Sequence, residues 1–266
     1  IEGIDQNILS NSDNARIEFA RTNCFHRHKD FDNASYFLQK ANELKLLYMP
    51  SNAAMLVKNI QAIANTLAAN EMLVSQQCCD HIFIVGVPRS GSTLLSAILN
   101  TNPVVKDLGE SRALQNALAA HSSQSVISKN KSLENFYADC IDEYVPPGSI
   151  TLDKNLYNFM YCHFVVNHMP GAKIIHATRN PLDNILSMLR ANLAAGNNFT
   201  ASAEDSAMVI IEQEKLMRTF KKLFPGKIYT YSYDRLVNSP QLETKNLLVW
   251  LGFDWNESYL KYYEGK

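Results

Sequence analysis

Through the first 75 residues apolar side chains recur at helical spacing with little to interrupt them, since Pro50 is the only proline and Gly3 the only glycine. The spacing predicts a helix from about Asn14 to His26, a polar break at Arg27-His28-Lys29-Asp30, and a second helix from about Asp32 to Leu47. In the second helix Ala34, Phe37, Leu38, Ala41 and Leu44 fall three and four apart and make one apolar face. Ala15 and Ala20 are the small positions where the first helix lets its partner approach. A third helix is expected over about Asn52 to Asn70. Two helices of this length with a short turn fit a unit of the tetratricopeptide type, which repeats every roughly 34 residues. They fit a plain helical hairpin equally well.

From His81 the pattern changes. Ile82-Phe83-Ile84-Val85-Gly86-Val87 is nearly all apolar, as expected of a strand buried on both faces of a parallel sheet. It breaks at Pro88 and a Gly/Ser cluster, and a helix follows through Leu94, Leu95, Ile98 and Leu99. Ala172 to Ala177 is a second such run, followed by a helix over about Pro181 to Arg190, and Lys227 to Tyr231 is a third. Strand, loop and helix thus alternate, which predicts an α/β fold with a mainly parallel, P-loop-like sheet and helices on both faces. The expected organisation is a helical segment over residues 1–75 and an α/β domain over 76–266.

Composition narrows the classes. The 266 residues are 46% hydrophobic and 19% charged, with 25 Lys+Arg against 26 Asp+Glu. So apolar a chain is not expected to be disordered, and so balanced a charge argues against a protein that coats nucleic acid. No stretch approaches the roughly 18 uninterrupted apolar residues of a membrane span. No signal peptide opens the chain, and its start at Ile1 fits a fragment or a processed product. Cys24, Cys78, Cys79, Cys140 and Cys162 are odd in number and lack C-x-x-C spacing, so buried or half-buried thiols in a reducing compartment are expected. The sequons at Asn33, Asn198 and Asn256 are unremarkable in a chain this rich in asparagine.

The chemistry concentrates in Gly86-Val87-Pro88-Arg89-Ser90-Gly91-Ser92-Thr93. Between a buried strand and a helix, this loop puts backbone N–H groups, hydroxyls and one guanidinium at a helix N-terminus, where unpaired amides and the helix dipole attract anions. Gly91 lets the backbone approach a phosphate, and Ser92 and Thr93 donate from the first turn. The glycine spacing of the Walker pattern is met by Gly86 and Gly91, but Ser92 stands where that pattern has its lysine. The loop therefore suits one terminal phosphate better than a triphosphate.

Pro88-Arg89-Ser90-Gly91-Ser92-Thr93 resembles the 5′-phosphosulfate loop of sulfotransferases that use 3′-phosphoadenosine 5′-phosphosulfate (PAPS). The second signature of that family, an arginine after a strand and a serine eight residues later, is matched by Arg179 and Ser187. Gly109-Glu110-Ser111-Arg112 is similar to the Gly-Glu-x-x-Arg region of tyrosylprotein sulfotransferases, one residue shorter. Asp153-Lys154-Asn155-Leu156-Tyr157-Asn158-Phe159 resembles the Asp-Lys-x-Pro-x-Asn-Phe segment of bacterial tetratricopeptide-linked sulfotransferases, with leucine for proline. The stretch from Phe31 to Lys45 resembles the last repeat of that branch, which strengthens the tetratricopeptide reading.

The resemblance implies metal-free, in-line transfer of a sulfuryl group from PAPS to an acceptor hydroxyl, leaving PAP. Glu110 takes the place of the base, with His121 and His176 in reserve. Lys154 and Arg89 offset the developing charge. Arg89, Ser90, Gly91, Ser92, Thr93, Arg179, Ser187 and Tyr233 hold the nucleotide, and His163, His168, Trp250 and Trp255 are read as structural. A helical repeat points to a protein or peptide acceptor, tyrosine included, ahead of a carbohydrate or small molecule. The branch implies a bacterial, cytoplasmic setting rather than the Golgi lumen, and no nucleic-acid partner. In the family a further segment beyond the Trp250 helix closes over the nucleotide. None is recognisable before Lys266, so the chain is expected either to be shortened there or to build its pocket otherwise. Two other readings stay open: a P-loop nucleotide kinase using ATP and Mg²⁺, and a peptide-binding adaptor with a degenerate α/β domain.

Overall fold

The computed structural model describes residues 9–67, 79–123 and 131–263. Cys78, the end of the third expected helix at Asn70 and the expected boundary at 75–76 lie outside them. The chain forms two compact units, residues 1–62 with 180–214, and residues 63–179 with 215–266.

The first unit begins with α1 (Asn11–Arg27) and α2 (Phe31–Tyr48), capped by Ser10 and Asp30, whose side chains accept from Asp13 N and Asn33 N. They form a hairpin in which Phe25 and Phe37 stack at 5.2 Å. Ala15 is fully buried but Ala20 is exposed. The covered face of α1 runs instead through Ala15, Glu18, Phe19 and Thr22, because the Glu18 carboxylate is taken in by Arg21 at 3.0 Å and Lys40 at 3.2 Å. α3 (Ala53–Thr66) buries Ala53, Leu56 and Ile60. Polar side chains draw a distant segment into this unit. Lys45 Nζ donates to Leu193 O at 2.8 Å, and Asn42 Nδ2 to Leu189 O at 3.0 Å. That segment contains α8 (Pro181–Leu189) and a 3-10 turn over 198–201 with Phe199 fully buried.

The second unit is built on five parallel strands, β1 (His81–Gly86), β2 (Val105–Gly109), β3 (Ile150–Asp153), β4 (Ala172–Thr178) and β5 (Ile228–Ser232), in the order β2-β3-β1-β4-β5. β1 and β4 pair from His81↔Ala172 to Gly86↔Ala177. Three of these strands follow the apolar runs of the sequence. β2 and β3 were not expected, and their short, partly polar stretches show why. Their extended state comes from pairing with each other and of β3 with β1. On one face Ile82, Ile84, Ile175 and Ala177 pack with Leu95 and Leu99 of α4 (Ser92–Leu99) and Leu247, Leu248 and Leu251 of α11 (Pro240–Leu251). On the other face Phe83 meets Tyr137 of α6 (Leu133–Ile141), with ring centroids 5.5 Å apart. The sheet is thus flanked by helices. The remaining helices are α5 (Ala113–Ser122), α7 (Cys162–His168), α9 (Ala203–Leu223) and α10 (Tyr233–Asn238).

Candidate active site

In a parallel sheet all strands end on one edge, and ligands bind there where the strand order reverses. β1, flanked by β3 and β4, is that place. The C-terminal ends present, in sheet order, Glu110 after β2, Lys154 after β3, the Arg89–Thr93 loop after β1, Arg179 after β4 and Tyr233 after β5. At about 4.8 Å between strands, these groups span roughly 19 Å.

The loop after β1 has the backbone of an anion cradle. Arg89 sits at φ 67° and Gly91 at φ 92°. A left-handed conformation costs a non-glycine residue about 1–2 kcal/mol, so it persists only where its surroundings enforce it. Gly91 caps α4 without any side-chain hydrogen bond, which leaves the first turn facing out of the loop. A Cβ on Gly91 would lie 2.5 Å from Tyr233 Cδ2, so glycine is demanded by packing as well as by φ.

Arg179 closes the cradle. Its Nη1 donates to Arg89 O at 3.4 Å, and its guanidinium lies 4.7 Å from the centroid of the Tyr233 ring. Arg89, Gly91, Ser92, Thr93, Arg179 and Tyr233 line one cleft of about 160 Å³. Arg179 Nε and the fully buried Ser90 Oγ have no hydrogen-bond partner among the described residues. Buried donors of this kind normally find partners. The orphaned Arg179 donor in the cleft, beside a positive-φ loop, therefore fits an anionic ligand, whereas Ser90 Oγ lies beside Gly86 and outside the cleft lining.

On the other side of β1, Lys154 Nζ donates to Glu110 Oε1 at 2.9 Å, the lysine side chain being 12% exposed and the glutamate 74%. β2 shifts register between Asp107 and Gly109, and Gly109 at φ 64° turns the chain so that Glu110 comes off the strand end beside Lys154. The turn is fastened by Gly109 N donating to Asp107 Oδ1 at 2.8 Å and by Ser96 Oγ donating to Asp107 Oδ2. Burial pushes the Tyr157 hydroxyl well above its usual range, and the nearby Glu110 charge adds to the rise.

Of the reserve bases, His176 is fully buried within β4, its Nδ1 2.9 Å from Lys221 Nζ. His121 ends α5 against Phe136 and His168. Burial lowers the pKa of His163 and of His168, helped by one neighbouring histidine in each case. Ser187 lies in the second turn of α8, in the first unit. Trp250 donates to Gly226 O at 3.2 Å and packs on Tyr229. Sequence reading missed the Tyr233 ring as a platform for Arg179, and it missed Asp107, Asp153 and Asn155 as supports. The signal was present for the last pair, because an aspartate followed two residues later by a free N–H forms a local turn. Among the described residues no group of three or more His, Cys, Asp and Glu side chains is placed to hold a metal ion. No helix there is long and apolar enough to cross a membrane.

The fold is that of a P-loop-like α/β protein, with a positive-φ loop and an arginine sharing one cleft at a topological switch point. Residues 81–257 match the sulfotransferase family, and the chain belongs to it. It is 28% identical over 264 residues to an uncharacterized protein of Aquifex aeolicus, covering 90% of this chain and 35% of that one. It is 24% identical to protein-tyrosine sulfotransferase 1 of Danio rerio, covering 69% of this chain and 56% of the relative. The human protein of the same name is also 24% identical, with 74% and 58% covered. The chain thus spans between about a third and three fifths of the length of these relatives. In fold it is similar to the sulfotransferase domain from the curacin biosynthetic pathway, with a TM-score of 0.50 at 19% identity over 72% of this chain and 80% of that one.

Proposed function

We propose that this chain binds PAPS at the β1/β4/β5 side of the sheet edge and transfers its sulfuryl group, without a metal, to an acceptor hydroxyl presented on the β2/β3 side. The observation that carries the reading is the single cleft shared by the Arg89–Thr93 loop and Arg179, joined by the 3.4 Å contact from Arg179 Nη1 to Arg89 O. When bound, PAPS supplies an activated sulfuryl group on a phosphate.

The first-turn hydroxyls of Ser92 and Thr93 and the N–H groups of the loop, that of Ser90 included, hold the 5′-phosphate, and Arg179 grips the 3′-phosphate with a forked, charge-assisted contact. Glu110, exposed at the edge, accepts the proton of the acceptor hydroxyl, a transfer that contributes about 10²–10⁴-fold. Lys154 and Arg89 are fixed cations where negative charge grows during transfer. The role of Ser187 rests on the resemblance alone. The likeness to protein-tyrosine sulfotransferases and a tetratricopeptide-like reading of α1 and α2 support a protein or peptide acceptor, with tyrosine as the reacting hydroxyl. A bacterial, cytoplasmic setting belongs to the same reading.

The test has two arms. PAP should raise the melting temperature where ATP with Mg²⁺ does not, and the opposite result replaces this reading by a nucleotide kinase. Transfer from ³⁵S-labelled PAPS should then be measured to a tyrosine peptide, an oligosaccharide and a simple phenol. Label on the peptide alone supports the protein acceptor, and label on the sugar alone overturns it.

A further inference from the structure

The Asp-Lys-x-x-x-Asn segment contains a buried carboxyl group that the reaction above does not use. Asp153, the last residue of β3, is fully buried. Its Oδ1 accepts from Asn155 N at 3.0 Å and from Asn158 Nδ2 at 3.1 Å, and its Oδ2 is 3.4 Å from the Tyr137 hydroxyl. The first of these bonds is a local turn of the aspartate type, with Lys154 at its apex. The turn is tied to the neighbouring loop at two points. Lys154 N donates to Gly109 O at 2.8 Å, and Asn155 Nδ2 donates to Ser111 O at 2.8 Å. These two bonds stand immediately before and after Glu110. Asn158 is itself held, since its Oδ1 accepts from Gln115 Nε2 of α5 at 2.8 Å.

We propose that Asp153 and Asn155 are positioning residues: the buried carboxylate holds the turn that presents Lys154, and the Asn155 side chain carries that order across to the loop of Glu110. This rests on the catalytic reading of Glu110 and Lys154 given above. Without the carboxylate, Asn155 N and Asn158 Nδ2 lose their acceptor, Lys154 is no longer held at an apex, and its ammonium leaves Glu110. An amide at position 153 keeps an oxygen for both donors and turns its NH₂ towards the Tyr137 oxygen, so Asp153→Asn preserves the geometry where Asp153→Ala does not.

The readout is the reactivity of the Lys154 amine towards acetylation, followed by mass spectrometry on the whole chain, alongside PAP-induced thermal stabilisation. In the wild type Lys154 is covered and paired, so it reacts slowly. Asp153→Ala should raise its reactivity about fivefold, the scale of one lost buried hydrogen bond, while stabilisation by PAP is kept and Asp153→Asn returns the rate to wild type. Where transfer is measurable, kcat should fall about tenfold or more with the PAPS KM little changed. Unchanged Lys154 reactivity in an Asp153→Ala variant that still responds to PAP overturns the proposal, as does a rise in Lys154 reactivity that Asp153→Asn fails to reverse. Should Asp153→Ala fail to fold, Asn155→Ala at its half-buried position decides in the same way. If wild-type protein ignores PAP, the catalytic reading fails on its own, and the labelling result still says whether Asp153 positions Lys154.

Discussion

Replacing Arg179 tests the nucleotide reading most directly, because the structure separates what this side chain does for the ligand from what it does for the fold. Among the described residues Arg179 makes one long hydrogen bond, 3.4 Å to Arg89 O, and one ring contact with Tyr233 at 4.7 Å. Neither is a strong term, so Arg179→Ala should cost the unliganded protein about 1 kcal/mol or less. Towards a phosphate the same guanidinium provides a charge-assisted bond worth about 1.5–3 kcal/mol, and its loss lowers PAP affinity roughly 10- to 150-fold. Calorimetric titration with PAP measures the loss. A thermal scan reads it too, because PAP at about 100 times the wild-type Kd stabilises by about 2.7 kcal/mol, and a 30-fold weaker variant keeps about 0.9 kcal/mol. At about 2–4 °C per kcal/mol for a chain somewhat smaller than this one, that contrasts a shift of roughly 5–11 °C with one of roughly 2–4 °C. Arg179→Lys should fall between, since it keeps the charge and loses the fork. If Arg179→Ala binds PAP within twofold of wild type, the cleft is not a bisphosphate site and the reasoning is wrong.

Further outcomes follow from other positions. Gly91→Ala forces a Cβ to within 2.5 Å of Tyr233 at φ 92°, so both melting temperature and PAP affinity should drop, and an unaltered variant would show that the loop yields easily. Glu110→Gln should leave PAP titration curves intact while ³⁵S transfer falls by about 10²–10⁴, and equal rates would remove Glu110 as the base. The pH dependence of stability should show two opposed contributions. Burial depresses His81 to about 4, below its unfolded 6.5, so its contribution is whole above pH 6.5 and is lost as pH falls towards 4. Burial first, with Asp107 adding, lifts Asp153 from 3.8 to about 7 against its hydrogen bonds, so its contribution is whole below pH 3.8 and is lost as pH rises through 7. Melting curves at pH 5 and 7.5 should therefore diverge in opposite directions for His81→Gln and Asp153→Asn, each relative to wild type, and parallel behaviour would refute both assignments.

What the amino-acid order determined by itself was local. The apolar runs at Ile82–Val87 and Ala172–Ala177 announce buried parallel strands because both of their faces are covered, and they appear as β1 and β4. The Pro88–Thr93 loop is legible because an anion cradle needs glycine, hydroxyls and a helix start in immediate succession. β2 and β3 were illegible for the converse reason. Val105–Gly109 and Ile150–Asp153 are too short and too polar to show a period, and partners far along the chain hold them extended. Helix periodicity likewise could not mark Lys45 and Asn42 as interior, since Lys45 Nζ is satisfied by Leu193 O and Asn42 Nδ2, besides bonding Leu38 O in its own helix, reaches Leu189 O. Tertiary structure alone decided that Glu110 and Lys154, 44 residues apart, form an ion pair, and that the Tyr233 ring braces Arg179. A motif can name the groups at a reaction centre from sequence. Which of them meet depends on strand order, and strand order is a property of the whole sheet.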